Sequence, residues 1–271
     1  MKNIVVKVGG EVVASPEMDS LAEDLRELIA GWHRVTLVHG GGPQASALQK
    51  RLGLEPRIIA GKRYTDTATL DVMKYVVAGQ LNVDLCAKLL RHGVLAVGLH
   101  GASGHMIQAT RRPPAVLTGA GPDPVDLGLV GEVTGFNLQL LGDLQERRWL
   151  PVLACLGCDR EGQPLNINGD TVASQLAGAL KADALVLVTS TPGVLRDLKD
   201  PKSRIPRLTA AEFRRGVLDG SISGGMIPKL EESFKVLEGG AQSVVIVGQL
   251  GAGDLCRAVL EPGSVGTVLF A

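Results

Sequence analysis

Two lysines of this chain sit beside glycine pairs, a setting suited to gripping a phosphate. In Val5-Val6-Lys7-Val8-Gly9-Gly10 an apolar run ends in a lysine and two glycines. Glycines there let backbone N–H groups approach an anion, and Lys7 brings its ammonium into the same crevice. Taken alone, the segment also reads as a simple tight turn. Val38-His39-Gly40-Gly41-Gly42-Pro43 ends a second apolar run and opens a helix with Pro43 at its start, leaving N–H groups free at the positive end of a helix dipole. Neither segment is a Walker loop or a dinucleotide G-x-G-x-x-G. His39 reads as a strand-end packing residue rather than a catalytic base. Lys62-Arg63-Tyr64-Thr65-Asp66 offers a guanidinium able to pair with a carboxylate, with Thr65 or Asp66 capping the next helix. Asn166-Ile167-Asn168-Gly169-Asp170 projects alternate residues to one side before a helix, and Asp170 can be read as no more than an N-cap. Gly224-Gly225-Met226-Ile227-Pro228-Lys229 delivers the second lysine at a helix start, where the dipole disfavours it unless an anion binds there.

The elements that must carry these groups follow from the apolar pattern. Continuous apolar runs at Ile4–Val8, Val35–His39, Leu95–Leu99, Val152–Leu156, Ala184–Val188 and Ser243–Val247 predict buried parallel strands. Between them, segments such as Met18, Leu21, Ala22, Leu25, Leu28 and Ile29 place their apolar residues on one helical face. The alternation predicts an α/β fold, a three-layer αβα sandwich with a central, mainly parallel sheet. Short apolar pieces between about Gly101 and Val133 predict β-hairpins at one edge, and Arg196–Arg207 an exposed loop. One helix, Thr67–His92, carries two apolar stripes. The first runs through Leu70, Met73, Val77, Leu81, Leu85 and Leu89, the second through Val72, Val76, Gly79, Val83 and Leu90. The second must face either another helix of the chain or a second subunit; a homodimer buries Val72, Val76, Val83 and Leu90 across its two-fold axis.

Composition narrows the function. Lys and Arg number 28 and so do Asp and Glu, so no global basic field marks a nucleic-acid or anionic-membrane partner. No apolar run approaches the ~20 residues of a membrane helix. Four cysteines are too few for a disulfide scaffold, and Met1-Lys2 leads straight into the first strand, so a cytoplasmic location is expected. Cys155-Leu156-Gly157-Cys158 has C-x-x-C spacing but no second pair or neighbouring His, so no metal site is expected. Arg111-Arg112-Pro113-Pro114 reads as a solvated hairpin tip.

The ordered set Lys7-Val8-Gly9-Gly10, His39-Gly40-Gly41-Gly42, Arg63-Tyr64-Thr65-Asp66, Asn166-Ile167-Asn168-Gly169-Asp170 and Gly224-Gly225-Met226-Ile227-Pro228-Lys229 resembles the amino-acid kinase family over nearly all of the chain. The resemblance implies transfer of the γ-phosphoryl group of ATP, with Mg2+ held mainly by ATP phosphates and water, to a side-chain carboxylate. The acceptor implied is the small molecule N-acetyl-L-glutamate, of arginine biosynthesis; alternatives are an aminoadipate derivative of lysine biosynthesis, or a regulator that binds without catalysis. By the same resemblance Lys7 and Lys229 contact the transferred group and Asp170 orients both ammonium groups. Gly9, Gly10 and Thr189 belong to the ATP and phosphate site. Gly41 and Gly42 hold acceptor and phosphoryl oxygens, and Arg63 and Asn166 bind the α-carboxylate. The chain is expected to form one kinase domain, 1–271, with an acceptor lobe of about 1–178 and an ATP lobe of about 179–271. It departs from the family at His100-Gly101-Ala102-Ser103-Gly104-His105, at Thr189-Ser190-Thr191 and at Gly169, where Ala is frequent. Arginine-inhibited hexamers of the family carry a helix ahead of the first strand, and with Ile4 already in that strand little arginine sensitivity is expected.

Overall fold

The computed structural model describes residues 1–197, 199–222 and 226–270; Gly224 and Gly225 of the fifth motif lie outside them. Eight strands form the central sheet: β1 (Asn3–Val8), β2 (Arg34–His39), β5 (Ala96–Leu99), β8 (Leu150–Ala154), β11 (Ala184–Thr189), β12 (Arg207–Thr209), β13 (Val244–Gly248) and β14 (Thr267–Phe270). Their order is β12-β14-β13-β11-β1-β2-β8-β5, parallel throughout except where β14 meets β13. A small hairpin pairs β3 (Ile58–Ile59) with β4 (Lys62–Arg63). A second, four-stranded sheet runs β10 (Pro164–Asn166), β9 (Leu156–Cys158), β6 (Ile107–Arg111), β7 (Gly131–Phe136).

Ile4, Val5, Val6 and Val8 are all buried although they alternate between the two faces of β1, so β1 needs a helical layer on each side. Helices α2 (Glu17–Ala30), α5 (Asn82–Arg91) and α10 (Asp254–Leu260) supply one layer; α6 (Leu138–Glu146), α7 (Gly169–Ala179) and α9 (Met226–Glu238) supply the other. Right-handed crossovers require this split, because β1→β2→β5 advances toward one sheet edge while β5→β8→β11→β13 advances toward the other. Crossover direction therefore reverses between the neighbours β1 and β11. The crevice at their carboxyl ends is the place where such sheets bind ligands. The other α-helices are α1 (Gly10–Val13), α3 (Gly42–Arg51), α4 (Thr67–Met73) and α8 (Ala210–Leu218).

Three expectations change. The apolar run Val152–Leu156 is not one strand: β8 ends at Ala154 in the central sheet, and Leu156 begins β9 in the second. The hairpins expected at 101–133 are present as β6 and β7, but β9 and β10 extend them into a sheet of their own. The third concerns the two-striped helix. It runs unbroken from α4 to α5 through a π-helical stretch, Lys74–Leu81. The first stripe is buried as expected. In the second, Val72 and Val76 are covered by this chain's own packing, α4 lying on β10 and the π stretch on β9, whereas Val83 and Leu90 stay 63% and 60% exposed. Of the four residues expected at a two-fold axis, Val72 and Val76 are thus buried within the chain, and Val83 and Leu90 remain exposed.

Candidate active site

β1 and β2 pair in parallel with Val8 opposite His39, so the glycine turns that follow leave the sheet side by side. A Cβ on Gly10 would lie 3.1 Å from Gly41 Cα; the turns touch backbone to backbone. From α3, Gln44 Nε2 donates to the Gly10 carbonyl at 2.7 Å and ties the two together. Gly41 is pressed from behind by the π stretch, where a Cβ would meet Leu81 Cδ1 at 2.5 Å and Val77 Cγ2 at 3.0 Å. Gly9, Gly10, Gly41 and Gly42, with Thr189 and Lys229, line a cavity of about 300 Å³. Its neighbour, about 580 Å³, is lined by Arg63 and Asn166 among others. Lys7, Gly40, Gly41, Gly42 and Gly169 belong to both walls.

Where the two cavities meet stands an ion triad. Asn168 caps α7, its Oδ1 accepting from the Asp170 N–H at 2.7 Å. Asp170 is therefore not the cap, and its carboxylate is free to pair with Lys7 Nζ at 2.7 Å while Lys229 Nζ lies 3.9 Å from its other oxygen. Burial opposes ionisation of Asp170, yet Lys7 and Lys229 outweigh it and hold the carboxyl below its ordinary range. Burial pulls the Lys229 ammonium down, and Asp170 offsets part of that. Two ammonium groups sharing one carboxylate leave one positive charge, in place for an anion.

Arg63 is already engaged. Nη1 donates to Gln49 Oε1 at 2.5 Å, and Nη2 to the Gly42 carbonyl at 3.0 Å and Ser46 Oγ at 2.7 Å. Gln49 is buried and donates in turn to Thr69 Oγ1 at 3.1 Å. Three of the five guanidinium hydrogens are thus held internally, leaving Nε–H and one Nη1 hydrogen uncommitted. Asp66, not Thr65, caps α4, accepting from the Thr69 N–H at 2.8 Å. Thr65 is buried and its hydroxyl accepts from Asn166 Nδ2 at 3.0 Å. Thr189 lines the smaller cavity, but its Oγ1 lies 3.0 Å from the Thr191 carbonyl and 3.2 Å from that of Val247 on β13, so the hydroxyl is engaged within the protein.

Several wall residues escaped the sequence reading. Gln49 and Ser46 hold Arg63 from positions with no motif of their own. Arg112, expected at a solvated tip, is half-buried and lines the larger cavity with its Nε 3.5 Å from Glu132; Arg111, paired with Asp126, and Pro113 and Pro114 are exposed as expected. Lys62 borders the larger cavity as well. Cys155 also lines it, but burial pushes its thiol up to about 11, so it stays neutral; it and Cys158 are free thiols.

Residues 2–248 match the model of the amino acid kinase family. The chain belongs to that family. Among amino acid kinases it is 77% identical over 269 residues to acetylglutamate kinase of Anaeromyxobacter dehalogenans (strain 2CP-C), covering 99% of this chain and 100% of that one. It is 56% identical over 266 residues to acetylglutamate kinase of Sorangium cellulosum (strain So ce56), covering 98% and 94%. Among solved structures, smu.665 from Streptococcus mutans UA159 superposes with a TM-score of 0.78 at 27% identity over 99% of this chain and 98% of that one. N-acetylglutamate synthase from Neisseria gonorrhoeae, complexed with coenzyme A and N-acetyl-glutamate, gives a TM-score of 0.82 at 22% identity over 100% of this chain and 59% of that one. That last likeness is one of fold.

Proposed function

We propose that this amino acid kinase transfers the γ-phosphoryl group of Mg-ATP to the side-chain carboxylate of N-acetyl-L-glutamate, an acyl-phosphate-forming step of arginine biosynthesis. The observation that carries the reading is the Lys7–Asp170–Lys229 triad at the junction of two cavities, and relatives 56–77% identical that are named for this acceptor supply its identity. A carboxylate oxygen of the acceptor, ionised at neutral pH, attacks the γ-phosphorus; the bond from phosphorus to the β,γ-bridging oxygen breaks and ADP leaves. No proton need move, so no general base is required. The work is positioning and charge neutralisation. Lys7 and Lys229 flank the transferred group, Asp170 holds both ammonium groups in place, and N–H groups of Gly9, Gly10, Gly41 and Gly42 receive phosphoryl and acceptor oxygens. Arg63 and Asn166 bind the α-carboxylate in the larger cavity. Mg2+, held mainly by the ATP phosphates and water, would neutralise phosphate charge when bound. In an ADP-release assay offering N-acetylglutamate, glutamate, aspartate and N-acetylaminoadipate in turn, turnover is expected with the first. Preference for N-acetylaminoadipate would replace the acceptor, and no turnover with any would favour a binding protein.

The same proposal places an acceptor lobe at about 1–178 and an ATP lobe at about 179–271, meeting over α7, in a cytoplasmic enzyme. No helix of the described residues is long and apolar enough to cross a membrane. A homodimer is proposed through the apolar residues left exposed after the π stretch: Leu90, Leu95 and Trp149, around a shallow cavity that Cys86 also lines, with the exposed Val83 on the same helix. Leu90→Glu is expected to halve the mass seen by light scattering, and an unchanged mass would move the interface elsewhere.

A further inference from the structure

His39 ends β2 just before the glycine run, and its ring is fully buried. It does not touch the reacting groups proposed above, yet two neighbours fix its protonation. Asn82 Nδ2 lies 3.2 Å from the Val152 carbonyl, which can only accept, so the amide presents its NH2 on this side. The same NH2 lies 2.9 Å from His39 Nε2, which must therefore be the accepting nitrogen. The ring proton sits on Nδ1, 3.0 Å from the Gly40 carbonyl, and is donated to it. Burial, which pushes the imidazole pKa down, keeps the ring neutral.

The consequence lies one bond further on. The Gly40 carbonyl and the Gly41 N–H belong to one trans peptide and point in opposite directions. A bond that draws the carbonyl toward the buried ring turns the Gly41 N–H away from it, on the side of the two cavities that Gly41 lines. Gly40's own N–H is spent on the Val8 carbonyl at 3.3 Å, while that of Gly41 meets no acceptor among the described residues. A peptide between two glycines has little steric preference for either orientation, so something else must choose.

We propose that His39, with its tautomer set by Asn82, is a positioning residue that presets the Gly41 N–H as a donor to the transferred phosphoryl group. This rests on the kinase reading above. The device is assembled from distant places in the chain. Asn82 is the first residue after the π stretch, and Gly98 on β5 makes room for it, because a Cβ there would overlap Asn82 Oδ1.

The test compares His39→Asn, whose amide nitrogen replaces Nδ1, with His39→Gln, whose amide reaches toward the Nε2 position and drops the Gly40 bond. Two readouts are taken: kcat and both KM values in the ADP-release assay, and the Gly41 amide shift in glycine-15N-labelled protein titrated with inorganic phosphate. Losing one preorganised donor costs about 10²–10³ in kcat, so a misdirected one is expected to cost at least about tenfold. His39→Gln should show that loss with both KM values within about threefold, and no phosphate-induced shift at Gly41. His39→Asn should retain more than about a third of kcat and keep the shift. A structural role would lower thermal stability in both variants and leave kcat per folded molecule and the shift alike in each. Equal kcat losses, or a retained shift in His39→Gln, would overturn the proposal. If His39→Gln does not fold, Asn82→Ala frees the tautomer with His39 in place; a fall in kcat of about threefold or more is expected, and an unchanged kcat is equally fatal. Absence of turnover in the unaltered protein would reject the kinase reading, with the phosphate titration still deciding the role of His39.

Discussion

The two walls of the cleft are built differently. On the proposed acceptor side the groups that would orient the ligand come with internal partners: Arg63 with Gln49, Ser46 and Gly42, Asn166 with Thr65, and behind the wall His39 with Asn82. On the proposed phosphate-donor side, Lys229 has Asp170 as its ion-pair partner among the described residues, at 3.9 Å, and the Thr189 hydroxyl lies against the carbonyls of Thr191 and Val247. One wall is finished before ligand arrives; the other awaits a ligand's charge. The division suits the chemistry. A small acceptor carries few handles, so its orientation has to be preset by dipoles that need no rearrangement. A polyphosphate carries enough charge to complete a site that still has one uncompensated ammonium.

The comparison breaks most visibly at the lysines. Lys7→Met and Lys229→Met are each expected to lower kcat by ~10²–10³, Lys7→Met also releasing Asp170 from its 2.7 Å partner. Near-normal kcat in either variant would remove that lysine from the transfer. Next comes Asp170→Asn, expected to lower kcat about tenfold at neutral pH and to shift its pH profile. Burial pulls the Lys229 ammonium down and Asp170 pulls it up. Without the carboxylate the folded-state pKa falls further, and Lys229 loses its charge at lower pH. The alkaline limb of kcat should therefore move to lower pH, and a limb that stays in place or moves upward would show that Asp170 does not act through Lys229.

Smaller effects test the finished wall. Arg63→Lys keeps the charge but not the planar group shared among Gln49, Ser46 and Gly42. KM for the acceptor is expected to rise about tenfold while kcat falls less. Gln49→Leu, which touches no substrate, should raise the same KM in the same sense. If KM for ATP rises instead, the two walls have been assigned the wrong way round.

The glycine turns and Lys7 were legible because each sits at the end of a strand whose apolar run announces it; Lys229 and Asp170 lie in the first turns of α9 and α7 and Arg63 in the short β4, and the ordered set of motifs singled them out. What was not legible depends on partners far away in the chain. Gln49 reaches Arg63 across 14 residues and Asn82 reaches His39 across 43, and no local period encodes such a pair. Asn168 and Asp170 are both common N-cap types, so geometry alone shows which one caps and which one is left for the lysines. The Val152–Leu156 run reads as one strand because both pieces are buried; the change of sheet at Cys155 alters direction, not hydrophobicity. The π stretch hid because its apolar residues keep a helical period: the first stripe stays buried through it, and only its backbone hydrogen bonds distinguish it from an α-helix.

The smallest expected effect falls at Gly169, where the family often has alanine. Both cavities touch this residue, so a side chain here tests how tightly the junction is built. A Cβ at Gly169 would lie 3.6 Å from Gly40 Cα and 3.6 Å from Lys7 Cε, ordinary van der Waals separations. At Gly41, by contrast, the nearest atom would be at 2.5 Å. Gly169 also begins α7, where replacing glycine by alanine narrows the unfolded ensemble without straining the folded one. Gly169→Ala should therefore stabilise the protein by ~0.4–1 kcal/mol, a rise in Tm of ~1–4 °C at this size, with kcat changed less than about twofold. Thermal unfolding beside steady-state kinetics checks both halves. A large loss of kcat with Tm raised as expected would mean that Lys7 must move toward Gly169 during the transfer, and that the junction is looser at rest than in the act.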